Sequence, residues 1–199
     1  MPLHAPRFDL NQFDVTFHTF PHLETARLHL RRILASDANA LFRVLADESV
    51  TQFYDEDAFT DISQALDQIE AWDSGYHRHS CIRWGITLMG TGDVIGSCGF
   101  YGIHIRHRRA GIGFELARDF WRQGIMTEAL SAVIAYGFDE LELNRIEALV
   151  MPGNVASIAM LGKLGFRNEG LLEAYERWGS KGFVNLYILA LLRKTWANG

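Results

Sequence analysis

The sequence predicts an α+β fold: a mixed, mostly antiparallel central sheet of about seven strands flanked by about four helices. Three observations carry this. The order of periodicities is strand, two helices, three strands, helix, strand, helix, two strands. A turn composition, Gly90-Thr91-Gly92-Asp93, separates two apolar runs and makes them an antiparallel hairpin. An apolar helical stripe lies between two strand-like segments and supplies the crossover that parallel neighbours need. The order is not a regular βαβ alternation, which disfavours a doubly wound dinucleotide fold.

Each element has its own signal. Leu28 and Leu30 alternate with basic residues as in a half-buried strand. Ser36 and Asp37 offer an N-cap to a helix carrying Ala40, Leu41, Val44 and Leu45. Asp61 caps a second helix with Ile62, Ala65, Leu66, Ile69 and Trp72 on one face, expected to fray near Gly75. Strands follow at 81–88, 94–101 and 110–117; in the last, Ile112, Phe114 and Leu116 alternate with Gly111, Gly113 and Glu115. After Gly124, Ala129, Leu130, Val133, Ile134 and Phe138 form the helical stripe. Ile146, Ala148 and Val150 make a strand, and Asn154 to Leu164 a short helix closed by Gly165. Two antiparallel strands, about 166–177 and 182–193, finish the chain.

The chain has 199 residues, 48% hydrophobic and 22% charged, the balance of an ordinary globular domain. Residues 1–21 hold three of the four prolines and lack a period. They are read as an N-terminal extension, loosely ordered or laid along an edge, before a single domain over 22–199. The net charge of -5 argues against direct nucleic-acid binding by a basic surface. It leaves room for a local anion site built from backbone amides. No run of 18 apolar residues predicts a membrane span, and no apolar segment near the N-terminus predicts a secretory signal. Cys81 and Cys98 lack CxxC spacing and read as free thiols of a reducing compartment, so a cytoplasmic location is expected. His77 and His79 have no further ligands at suitable spacing, and no metal site is expected.

Two stretches carry chemistry. Trp121 to Ala129 joins a strand to a helix through Gly124, which lets the backbone approach an anion closely. The helix N-terminus there suits a diphosphate. The GK[ST] ending of a P-loop is missing, as is GxGxxG. In the second stretch, Asn154 and Ser157 stand three apart at a helix start and face one side. Gly162 inside that helix would be explained by close approach of another group.

Together these stretches resemble the GNAT superfamily of acetyl-CoA-dependent N-acetyltransferases, and within it the ribosomal-protein N-terminal alanine acetyltransferases. The resemblance runs from about Leu23 to Leu192. It rests on Leu23-Glu24-Thr25-Ala26-Arg27-Leu28-His29-Leu30-Arg31, on Arg108 to Leu116, on Gly124 to Ala129, and on Met151-Pro152 with Asn154, Ser157, Leu164-Gly165-Phe166 and Glu169-Gly170. It implies that Arg122, Gln123, Gly124, Ile125, Met126 and Thr127 hold the diphosphate of coenzyme A through backbone amides. The strand ending at Leu116 would pair with the pantetheine arm. Asn154 would bond the cofactor near the thioester, and Ser157 would protonate the departing thiolate. Trp121 stands where the family usually has Gln or Arg.

Only a neutral amine attacks a thioester. An α-amine with a pKa of ~7.7–8.0 is on the order of 10% neutral at pH 7, a lysine amine less than about 0.1%. An α-amine acceptor therefore needs only a modest base, and Glu115, in the strand leading to the cofactor loop, is the candidate. Its alternative is an exposed strand carboxylate. Glu128 reads as a first-turn acid favoured by the helix dipole. The expected function is direct transfer of acetyl to the N-terminal α-amine of a protein. The competing readings are a small-amine acetyltransferase, with Asp55-Glu56-Asp57 or Asp67 and Glu70 as acidic contacts, and a non-catalytic acyl-CoA-binding module. Tyr175, Trp178, Trp84 and Phe100 are candidates for an acceptor groove or for core. The basic run His104 to Arg109 reads as a solvated loop or a local patch. A homodimer is compatible with all of these.

Overall fold

A computed structural model describes residues 17–196. The order of elements is β1 (Leu23–Glu24), β2 (Leu28–Arg32), α1 (Ala38–Leu45), α2 (Glu48–Thr51), α3 (Ile62–His77), β3 (Cys81–Leu88), β4 (Gly96–His104), β5 (Arg109–Leu116), α4 (Ile125–Asp139), β6 (Arg145–Val150), α5 (Val155–Lys163), β7 (Arg167–Trp178), β8 (Gly182–Leu192) and α6 (Arg193–Trp196). The strands form one sheet in the order β1-β2-β3-β4-β5-β6-β8-β7. Every pairing is antiparallel except β5 with β6. The expected α+β architecture is what forms. The short elements β1, α2 and α6 add to the seven strands and four helices read from the sequence, because two to four residues carry no detectable period.

Alternation decides which face each strand residue takes. Ile82, Trp84 and Ile86 of β3 stand beside Phe100 and Cys98 of β4 and Ile112 of β5, and all are buried in one core. The stripe Ala129, Leu130, Val133, Ile134 and Phe138 lays α4 on this face with no measurable exposure. Each large apolar side chain buried so contributes roughly 1.5–3 kcal/mol. On the opposite face Leu41, Leu45, Ala65 and Ile69 of α1 and α3 close a second, smaller cluster with Ile33 and Phe59.

Three local expectations change. α3 does not fray at Gly75 but runs to His77. The Cβ of Cys81 lies 2.7 Å from where a Gly75 side chain would begin, so glycine permits helix and strand to meet. Asp37 precedes α1 but makes no cap bond to it; its carboxylate takes Arg31 and the Leu34 amide instead. A Cβ at Gly162 would meet nothing within 4 Å, so no close approach explains that glycine among the described residues. Of the expected extension, residues 1–16 lie outside the described residues. Phe17 is buried, Phe20 meets Trp84 and Tyr76, and the Pro21 carbonyl accepts from Trp84 Nε1 at 2.7 Å. Asp61 caps α3 through the Ser63 amide with Gln64 completing a capping box. Gly165 takes φ +90 after α5, as a C′ residue does. No helix of the described residues is long and apolar enough to cross a membrane.

Candidate active site

The parallel pair β5–β6 determines where a site can form. Its register runs only from Arg109↔Arg145 to Gly111↔Glu147. Beyond Gly111 the strands part, and Ile112 to Leu116 of β5 have no partner on the β6 side. Parallel strands end on the same side, so α4 and α5, which follow β5 and β6, begin at the same end of the sheet. A cavity of about 340 Å³ opens where the strands separate. Ile112 to Phe114, Ala148 to Val150, Asn154 and Ser157 are among the residues that line it.

Asn154 is the N-cap of α5, its side-chain oxygen accepting from the Ser157 amide at 3.1 Å. The carbonyl end of Asn154 is thereby used for structure. Among the described residues, neither the Asn154 amide nitrogen nor the Ser157 hydroxyl has a hydrogen-bond partner, and both residues line the cavity. The two roles read for Asn154, helix cap and ligand donor, are therefore compatible.

Just past β5, the chain turns through Arg122 at φ +60 and Gly124 at φ +75 into α4. The Trp121 amide bonds to Arg118 and the Glu128 amide to Gly124. The six amides between them, Arg122 to Thr127, have no hydrogen-bond acceptor among the described residues. Free N–H groups at a helix start are the donors from which anion sites are built. Trp121 does not face an anion here: its Nε1 donates to the Leu116 carbonyl at 2.7 Å. Leu116 and this loop do not line the cavity, whereas Asn154 and Ser157 do.

Glu128 is more than a first-turn acid. Its Oε1 accepts from Thr25 Oγ1 at 2.5 Å and from the Arg27 amide at 2.9 Å, and its Oε2 from Arg27 Nε at 2.6 Å. Burial pushes its carboxyl up, but the Thr25 and Arg27 bonds outweigh this and hold it below the usual range. Arg27 Nη1 also donates to the Gln123 carbonyl at 3.0 Å.

Glu115, the candidate base, is buried. It is not an exposed carboxylate; its side chain is only 2% exposed. Arg83 Nη2 and Ser97 Oγ donate to its two oxygens, and Arg83 Nε donates to Ser97 Oγ at 2.6 Å. Glu115 does not line the cavity, but Arg83 does. Burial works against charge on Arg83, yet Glu115 beside it prevails and holds the guanidinium above its ordinary pKa. The glycine alternation of β5 now has a reason. A Cβ on Gly113 would stand 3.0 Å from Arg83 Nη1, and one on Gly111 would strike the Tyr101 ring at 2.4 Å.

Sequence reasoning missed Arg83, Trp72, Tyr54 and Tyr101, which also line the cavity. An arginine in the middle of the apolar run Ile82 to Ile86 was the available signal for the first. Its guanidinium lies 5.0 Å from the Trp72 ring. Asp55, Glu56 and Glu176 stand at the cavity as well, whereas Asp57 is taken by Ser180. Burial and the Asp55 charge raise the Glu56 carboxyl. Burial, then Glu176 and Asp55, push the Tyr101 hydroxyl up to about 12. Of the four aromatic candidates, Trp178 and Phe100 reach the cavity; Trp84 is core, and Tyr175 is exposed. In the basic run, Arg108 pairs with Glu142 and Arg109 with Glu147. Cys81 and Cys98 are free thiols. No group of His, Cys, Asp or Glu among the described residues could hold a metal ion.

Comparison with known proteins identifies the family. The family model for the acetyltransferase (GNAT) domain matches residues 27–167. The chain is 40% identical over 176 residues to the N-acetyltransferase p20 of Bacillus licheniformis, covering 88% of this chain and 98% of that one. It is 42% identical over 156 residues to the N-acetyltransferase YoaA of Bacillus subtilis, covering 78% and 88%. An acetyltransferase structure from Bacillus anthracis superimposes with a TM-score of 0.75 at 22% identity, covering 87% of this chain and 99% of that one, and so shares the fold. A family match over most of the chain, on a sheet that parts between β5 and β6, leads to one conclusion: this protein belongs to the GNAT acetyltransferase family, an acyltransferase that uses acetyl-CoA as its co-substrate.

Proposed function

We propose that the protein transfers acetyl directly from acetyl-CoA to the N-terminal α-amine of a protein. The observation that carries this reading is the placing of free donors. Asn154 and Ser157 offer an unpartnered amide and hydroxyl to the cavity, while six unpartnered amides wait at the start of α4. These residues fit the co-substrate: amides of Arg122 to Thr127 hold its diphosphate, and the free edge of β5 takes its pantetheine arm. Asn154 orients the thioester. The acceptor nitrogen attacks the carbonyl carbon, the C–S bond breaks, and the Ser157 hydroxyl donates to the departing sulfur. The amine proton leaves through cavity water towards Glu56, a carboxylate at the cavity that burial and the Asp55 charge raise. Glu115 enters differently from the sequence expectation: with both oxygens engaged, it holds Arg83 against the cavity wall and does not itself meet the amine.

A protein acceptor is favoured by a relative. The chain is 36% identical over 64 residues, 32% of this chain and 33% of that one, to the [ribosomal protein uS5]-alanine N-acetyltransferase of Escherichia coli. The second reading, a small polycationic amine, draws on Asp55, Glu56 and Glu176 at the cavity. Thiol release measured with peptides beginning in Ala or Ser, against spermidine and an aminoglycoside, separates them. Turnover with the peptides is expected; turnover only with spermidine or the aminoglycoside would establish the second reading instead.

A further inference from the structure

We infer that Arg27, which does not line the cavity, is a positioning residue for the diphosphate receptor. The inference rests on the reading that the amides of Arg122 to Thr127 bind the diphosphate.

A trans peptide points its carbonyl and its amide in opposite directions. The Gln123 carbonyl is fixed by Arg27 Nη1 at 3.0 Å, so the Gly124 amide of the same peptide is aimed away from Arg27, among the free donors. Gly124 at φ +75 has no steric preference that would hold this orientation by itself. The same guanidinium grips Glu128 through Nε at 2.6 Å. Glu128 sits in the first turn of α4, where its charge would oppose an incoming diphosphate. Arg27 cancels that charge and turns the carboxylate back towards β2, where Thr25 and the Arg27 amide complete its bonds. One side chain thus sets a peptide plane and neutralises the nearest acid. Only a planar fork can bridge a carbonyl and a carboxylate so; lysine brings the charge without the bridge.

The test is calorimetric binding of coenzyme A and of pantetheine, which carries no phosphate, to wild type, Arg27→Met and Arg27→Lys, with kcat and KM measured alongside. Loss of a charge-assisted bond and of the set peptide is expected to weaken coenzyme A about tenfold or more in Arg27→Met. Pantetheine affinity and kcat at saturating acetyl-CoA stay unchanged, and KM for acetyl-CoA rises. Arg27→Lys, which keeps the charge, is expected to lose coenzyme A affinity severalfold, and it carries the test if Arg27→Met fails to fold. Coenzyme A bound by Arg27→Lys as tightly as by wild type, or equal losses for both ligands, would overturn the assignment. Failure of the underlying reading looks different: wild type itself would then bind the two ligands equally.

Discussion

The two faces of the sheet across β3, β4 and β5 are built on opposite principles. The face under α4 is apolar: Ile82, Trp84, Ile86, Cys98, Phe100 and Ile112 meet Leu130, Ile134 and Phe138. On the other face the same strands present Arg83, Ser97 and Glu115, all buried, among glycines at 85, 99, 111 and 113. The first face stabilises by removing apolar surface from water. The second gains little net stability, because two desolvated charges largely offset their own attraction. What it gains is a cation held at a fixed place on the cavity wall.

Changes at the cavity should break chemistry without breaking the fold. Ser157→Ala is expected to lower kcat about 10²–10⁴-fold, the range of proton-transfer assistance, with coenzyme A affinity and unfolding free energy unchanged. Steady-state kinetics beside calorimetry checks it; an unchanged kcat removes Ser157 from the mechanism. The buried pair gives the sharpest contrast between the faces. Glu115→Leu strands Arg83 and should cost about 3–5 kcal/mol, and adding Arg83→Met should recover most of that loss. Phe138→Ala on the apolar face should also cost about 3–5 kcal/mol, as loss of transfer energy plus a cavity. Denaturant unfolding of the single and double variants decides whether the polar face behaves as a pair.

Glu128 supplies a pH signature. Its folded pKa lies below the ordinary value, so its contribution is complete above that value and is lost as pH falls through the folded one. The stability difference between wild type and Glu128→Gln should therefore be full at neutral pH and shrink below about pH 4. A difference that is flat down to pH 3 would mean that the bonds from Thr25 and Arg27 add nothing. The smallest effect is at Gly162. The space beside it is open, so Gly162→Ala should stabilise by about 0.5–1 kcal/mol through helix propensity, read as a raised Tm.

How much of this could be read from the chain follows from the range of each interaction. Strand alternation, the α4 stripe, the Asp61 cap and the Gly165 stop are local patterns, and each appears where the sequence places it. Asn154, Ser157 and the Gly124 loop could be singled out because each lies within one turn of a helix start. The surroundings of Glu115 stayed open between two readings, since its partner Arg83 is 32 positions away. Arg27 meets Glu128 across 101 positions. No local period reports such pairings.

The sequence by itself determined the elements, their faces and the family motif, because periodicity, caps and turn residues act over a few positions. Only the tertiary structure decided what the buried charges do. It brought Arg83 onto Glu115, spent the Asn154 carbonyl on its own helix, set Arg27 against the loop, and parted β5 from β6 after Gly111 to open the cavity. Those outcomes depend on which strands become neighbours and on how much water their side chains lose, and both are properties of the assembled sheet.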